Sequence, residues 1–376
     1  MKNKLWVNIV LGFFFTFIII IASFNYIADP YGIYNSGFFK DKPASGKHMR
    51  IVKAVKLQEL KPVSIALGTS RTDVGINPEH PYFIKPSYNL ALSGGSLYES
   101  KLYLENVIKQ GNLKQVLLVA DWRMFNEINM RQTSDIERYF DKFFIYAYLI
   151  NYKTLTDSYF TIKNQGAKAQ HHANGQMDNS FLRSHIISSG GHLKVMNSEE
   201  SYYYQSFNKN NTYKSTNKNS FEDFEEIVRL CYKNGITLDI IFGPSHIRQW
   251  ESFDYHIGID VFYKWKKDVV LTVDKIAKEE NTTPYRIMDF SVYHELTAEK
   301  VPEDPAVEMK YHFEGSHYKE VLANIVLDRL LDKSPYKDFG IELNVKNIDS
   351  HLENLRNDRA KYINTDSYRK NVINEK

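Results

Sequence analysis

Apolar residues follow two different patterns along the chain. From Leu5 to Ala28 there is no charged residue, and Leu11 to Ala22 is dominated by Phe and Ile. At a rise of ~1.5 Å per residue, a helix over this run measures ~36 Å, enough to cross a hydrocarbon layer of ~30 Å with some tilt. The pattern predicts one membrane-spanning helix over 5–28 after a short terminus, 1–4. Lys2 and Lys4 precede it and Asp29 follows it, so the positive-inside tendency puts the amino terminus in the cytoplasm. The remainder is then expected on the extracytoplasmic (periplasmic) side of the cytoplasmic membrane. A cleaved signal peptide is the alternative, disfavoured by the length of the apolar run and the lack of a clear A-x-A site.

Beyond the anchor the pattern changes. Residues 29–61 open on the turn-rich Asp29-Pro30-Tyr31-Gly32 and carry Lys40, Lys42, Lys47 and Arg50, so they read as a polar, membrane-proximal connector. Short apolar runs then alternate with amphipathic stretches. Strands are predicted over 63–67, 88–92, 115–120, 236–242 and 285–288. Helices are predicted over 96–110, ended by Gly111; over 221–233, capped by Ser220 and closed by Asn234-Gly235; over 260–280; and over 317–331. The last would bury Val321, Leu322, Ile325, Val326 and Leu330 on one face. Such alternation predicts an α/β domain over 62–332, with about five parallel strands and helices on both faces. It lapses between 126 and 219, an insertion at a strand end of the kind that covers binding sites, and this is read as a lid. The tail 333–376 is polar, with one helical pattern at Ile348, Leu352 and Leu355. No internal repeat is visible.

Composition narrows the function. With 48 basic against 45 acidic side chains, a net charge of +3 leaves no broad basic face for nucleic acid. A single cysteine, Cys231, excludes an internal disulfide framework and a Cys-rich metal site, and is expected to be buried. Mean hydropathy is −0.43 despite the anchor, as expected for a water-soluble domain tethered to the membrane. The chain contains no H-E-x-x-H, no phosphate-binding G-x-x-x-x-G-K-[ST], no G-x-G-x-x-G after a strand and no G-x-S-x-G elbow. His171-His172 is too isolated to make a metal site. No metal or cofactor is expected.

The candidate chemistry lies at strand ends. The first strand runs into Gly68-Thr69-Ser70-Arg71, placing Ser70 at the carboxyl edge of the sheet, where open α/β sheets hold their ligands. A serine nucleophile needs a base, and His317, in Phe313-Glu314-Gly315-Ser316-His317, is the best candidate. Glu314, three residues earlier, is spaced to accept from Nδ1 and leave Nε2 free to take the serine proton. Asp289, after the fifth strand, is a rival for that carboxylate. His246, in Phe242-Gly243-Pro244-Ser245-His246 on the same rim, is a candidate groove residue, with a structural turn as the alternative.

Taken together these blocks resemble the SGNH (GDSL-like) hydrolase superfamily, in the branch of membrane-anchored bacterial acyltransferase-like proteins that includes DltD-like and alginate-acetylation-type members. Gly68-Thr69-Ser70 matches its G-[DST]-S block, and Glu314-Gly315-Ser316-His317 its D-x-x-H block. Asn89-Leu90-Ala91-Leu92-Ser93-Gly94 matches its N-x-G-x-S-G block. The resemblance covers about 62–332 and implies a flavodoxin-like, SGNH-like sheet. It also implies a Ser70-His317-Glu314 triad and an oxyanion donor at the backbone N–H of Gly94. The sequence departs from the pattern in two places. Glu314 stands where Asp is usual. The third block, normally G-x-N-D, reads Ala120-Asp121-Trp122-Arg123-Met124-Phe125-Asn126, leaving Asn126, Arg123 or Asn89 to replace the missing Asn donor. Arg71, beside the serine, would meet an anionic group or a sugar hydroxyl, and Arg123 and His246 are the other expected substrate contacts. The expected function is acyl transfer, with acetyl as the group, to a cell-surface or exported polysaccharide, with a membrane-bound acyl donor protein as partner. Esterase action on the same substrate is one alternative. A non-catalytic polysaccharide-binding or assembly component is the other.

Overall fold

The computed structural model describes residues 2–126, 130–131, 135–214, 216 and 218–365. The chain divides into two compact units, Met1–Leu60 with Ser134–His172, and Lys61–Thr133 with Ala173–Lys376.

The first unit is built on the helix Lys2–Ala28. Its stretch Lys4–Ala28, 25 residues containing an 18-residue window of mean hydropathy 2.6, is long and apolar enough to cross a membrane. The segment read as a connector is structured. It holds the helix Met49–Leu60 and contributes Tyr31, Ile33, Ala44 and Ile51 to a small core shared with Phe144. A buried polar centre closes this core: Asp157 accepts from Tyr31 Oη at 2.9 Å and from Lys47 and Lys153 Nζ, each at 2.9 Å. The insertion is therefore not one lid over 126–219. Its aromatic half, with 3-10 turns at Ile136–Phe140 and Phe144–Ile150 and the helix Tyr152–Lys163, belongs to the first unit, because its apolar side chains find their partners there.

The second unit holds a six-stranded sheet: β1 (Ser64–Leu67), β2 (Ser87–Asn89), β3 (Gln115–Ala120), β4 (Thr237–Phe242), β5 (Arg286–Asp289) and β6 (Ile341–Leu343), in the order β2-β1-β3-β4-β5-β6. The first five are parallel and β6 is antiparallel to β5. Every residue of β1 and β3 is buried, so both faces of the sheet are covered, as the continuous apolar runs require. The helices Leu97–Ile108, Ser220–Lys233, Ile259–Glu279 and Ile348–Tyr362 pack in succession, while Glu320–Leu330 packs on the short helix Ser70–Gly75.

Three local expectations change. The cap of the helix Ser220–Lys233 is Asn219, whose side chain accepts from Phe221 N at 3.0 Å; Ser220 instead bonds the Phe125 carbonyl. The last helix of the expected domain begins at Glu320, not His317. It buries Leu322, Ala323, Val326, Leu327 and Leu330 and leaves Val321 exposed. The tail supplies β6 and a helix that buries Ile348, Leu352 and Leu355, so it completes the sheet edge. Residues 366–376 lie outside the described residues.

Candidate active site

Ser70 opens the helix Ser70–Gly75 directly after β1. The turn into it needs glycine at 68, where a Cβ would collide with the Thr72 side chain. His317 stands on the loop before the helix Glu320–Leu330, beside a bridge between His312 and Tyr318. The two meet. His317 Nε2 lies 2.7 Å from Ser70 Oγ, and His317 Nδ1 is hydrogen-bonded to Glu314 Oε1. With Nδ1–H donating to the carboxylate, Nε2 is left as acceptor for the serine proton. Glu314 also accepts from the backbone N–H of His317 at 2.9 Å and of Ser316 at 2.5 Å and from Ser316 Oγ at 3.1 Å, and these bonds fix its orientation. Burial opposes ionisation of Glu314. Electrostatic attraction to the His317 imidazole and the hydrogen bonds from Glu199, His317 and Ser316 N–H outweigh it and hold the carboxyl well below the usual carboxylate range.

The rival acid is engaged elsewhere. Asp289 is fully buried and accepts from Lys266 Nζ at 2.7 Å, His351 Nε2 at 2.8 Å and Ser291 N at 2.8 Å. It anchors the last helix to the end of β5 and does not orient His317.

The remaining site expectations divide. Leu92 N donates to the carbonyl of Gly68 at 3.0 Å, which ties the loop after β2 to the turn before Ser70. Gly94 follows two residues later with φ of 65°, a left-handed conformation open to glycine, and Arg123 Nη2 lies 3.4 Å from where a Cβ would stand. Arg123 is half-buried, bonded to Tyr203 Oη, and its guanidinium centre is 5.1 Å from that ring's centroid. Asn89 is no oxyanion donor: both amide hydrogens go to the carbonyls of Thr72 and Ile76, at 2.8 and 2.7 Å, closing the helix Ser70–Gly75 onto β2. Asn126 is likewise engaged, donating to the Asn208 carbonyl at 2.7 Å. Arg71 does not face outward. It is buried and ion-paired with Asp121, whose Oδ2 also accepts from Thr69 Oγ1 at 2.5 Å. Asp121, second in the divergent third block, thus braces the turn that carries Ser70. His246 is buried and caps the helix Ile247–Ile257, accepting from Arg248 N at 3.2 Å while its Nε2 bonds the Glu299 carbonyl at 2.7 Å. It is the structural turn, not a groove residue.

The second half of the insertion does reach the site. Glu199, Tyr203 and Tyr204 lie on adjoining single turns over 199–206, and ligand atoms of Glu199, Glu314 and His317 all lie within 4.8 Å of one another. Glu199 is half-buried as a residue, but its Oε2 is shut from solvent. Burial, and then the charge of Glu314, push its pKa well above the usual carboxylate range. Of the two neighbouring acids, Glu199 is thus the one favoured to keep a proton and Glu314 the one favoured to ionise. Nothing in the Asn- and Ser-rich run around Glu199-Glu200 distinguishes this residue. Its role comes from a contact across more than a hundred positions.

No protein-family model and no curated protein matches this chain.

Proposed function

We propose that this protein is a membrane-anchored, extracytoplasmic acyltransferase of SGNH-like type that works through a covalent ester on Ser70. The observation that carries this reading is the Ser70 Oγ to His317 Nε2 distance of 2.7 Å with Glu314 on the far ring nitrogen. His317 Nε2 takes the Ser70 proton as Oγ attacks the acyl carbonyl. It then returns that proton to the departing donor oxygen, giving an acyl-serine. In the second half His317 deprotonates a sugar hydroxyl, which attacks the ester and regenerates Ser70. Water in place of the sugar makes the same cycle an esterase. The backbone of Gly94 and the Arg123 guanidinium are the donors best suited to the oxyanion. The proposed acceptor is a cell-surface or exported polysaccharide, and the proposed group is acetyl, delivered by a membrane-bound partner.

The test is hydrolysis of p-nitrophenyl acetate by the full-length protein in detergent. Ser70→Ala is expected to lower kcat/KM by at least about 10²-fold, a scale set by general-base catalysis, with the fold unchanged by circular dichroism. His317→Ala should do equal damage and the double variant no more, because triad members act as a unit. A second reading, a binding component without chemistry, is favoured by one observation. The side-chain amides of Asn89 and Asn126 are both engaged in structural bonds, so neither of these two serves the oxyanion. Equal turnover by wild type and Ser70→Ala would select that reading.

A further inference from the structure

The anchor-bearing unit carries large apolar side chains that its own core does not cover. On the 3-10 turn Phe144–Ile150 and its flanks, Phe144 points inward, whereas Phe143 is 78% exposed, Tyr146 53%, Ile150 59% and Tyr152 81%. Phe143 and Tyr146, three residues apart on a turn with three residues per turn, share a face, and Ile150 and Tyr152 extend the exposed apolar surface to its carboxyl end.

The height of this face is fixed by hydrogen bonds. Asn25, fully buried near the end of the apolar helix, donates to the Leu149 carbonyl at 2.9 Å and accepts from Ser158 Oγ at 2.8 Å; Tyr34 Oη donates to the Ile145 carbonyl at 2.7 Å. About 20 helical residues fill a hydrocarbon core of ~30 Å. Counted from Leu5, that length ends at Phe24, next to Asn25. The turn bonded to Asn25 is therefore level with the boundary between acyl chains and headgroups. Tyr favours this layer because its ring is apolar while its phenol tip still reaches water or headgroup oxygens, and Phe143 and Ile150 supply apolar surface to the acyl-chain side.

We propose that residues 143–152 form an interfacial collar that lies in the outer headgroup layer of the bilayer crossed by residues 5–28, with phospholipid covering Phe143, Tyr146, Ile150 and Tyr152. The collar makes this unit a two-point attachment that fixes its tilt. A single helix alone would leave it free to swivel. The proposal rests on the membrane-spanning reading of the amino-terminal helix, and its test separates the two. The only native thiol, Cys231, is fully buried. Nitroxide labels are placed by Phe143→Cys, Tyr146→Cys and Tyr152→Cys in the full-length protein, reconstituted in phosphatidylcholine/phosphatidylglycerol vesicles. Phe14→Cys reports the span, and Tyr255→Cys, 66% exposed, reports an aqueous surface. Power-saturation electron paramagnetic resonance should give the three collar labels an oxygen-to-nickel accessibility ratio severalfold above that at Tyr255→Cys and below that at Phe14→Cys. Nickel accessibility equal to that at Tyr255→Cys, with Phe14→Cys still lipid-facing, would overturn the collar and leave the span standing. Shielding from both reagents would assign the face to a protein partner and equally overturn it. A water-facing Phe14→Cys would remove both readings.

Discussion

Two carboxylates competed for the histidine in the sequence, and their surroundings separate them. Asp289 is held by Lys266 and His351 in full burial; Glu314 is held by His317 and two backbone N–H groups. Asp289→Ala would leave the Lys266 ammonium buried and unpaired, at a cost of about 3–5 kcal/mol typical of breaking a buried pair. Denaturant unfolding should show that loss, while the ester-hydrolysis rate per folded molecule stays near wild type. Glu314→Gln should show the reverse pattern, a large fall in kcat. Glu199 adds a pH dependence. Its raised pKa means that the folded state keeps a proton which the unfolded chain releases above its ordinary carboxylate range, so its contribution to stability falls as pH rises toward the folded pKa. Glu314, with its lowered pKa, contributes stability above the unfolded range that is lost as pH falls toward the folded value. Glu199→Gln keeps a neutral hydrogen-bond donor and removes the first effect. Its thermal midpoint should exceed that of wild type by more at pH 8 than at pH 5, and an offset independent of pH would contradict a neutral Glu199.

At the scale of elements, the helix Leu97–Ile108 begins with a capping box: Ser96 Oγ accepts from Glu99 N at 3.1 Å, and the Glu99 carboxylate reaches back to Ser96 N at 3.4 Å. The pair satisfies two backbone donors that a helix start leaves open. Ser96→Ala should cost about 1 kcal/mol of unfolding free energy, read from a urea titration. Sequence periodicity found the strands β1, β3, β4 and β5 within two residues, because each centres on a short apolar stretch bounded by polar or turn residues. The expected second strand ended late. Its true end, β2 at Asn89, is set by Asn89 turning its amide onto the helix Ser70–Gly75, a contact invisible in local pattern. His317 read as a helix residue because Val321 and Ile325 extend the apolar spacing, yet Glu314 and Ser316 hold that segment as a loop through side-chain bonds. The loop is what lets the imidazole turn toward Ser70.

At the scale of the molecule, the tail behaves as part of the sheet. β6 pairs with β5, and His351 reaches Asp289 from the last helix. A chain ended at Lys333 would leave β5 as an unpaired edge and Asp289 without one of its partners. Such a truncation is expected to elute as aggregate in size-exclusion chromatography in detergent, whereas full-length protein elutes as a defined species. A monodisperse truncated protein would show the tail to be the appendage that its polarity suggests.

The sequence by itself determined what depends on local order. An uncharged run long enough for a bilayer, apolar blocks at strand spacing, a serine after the first strand and a carboxylate three residues before a histidine are all fixed within a few positions of one another. Tertiary structure alone decided the rest. It assigned the insertion's two halves to different units, gave Asp289, Asn89, Asn126 and His246 structural work, turned Arg71 inward to Asp121, and brought Glu199 to Glu314. The physical reason is common to these cases. A polar side chain's role depends on which buried group it must neutralise or saturate, and that group lies far along the chain, where no local pattern records it.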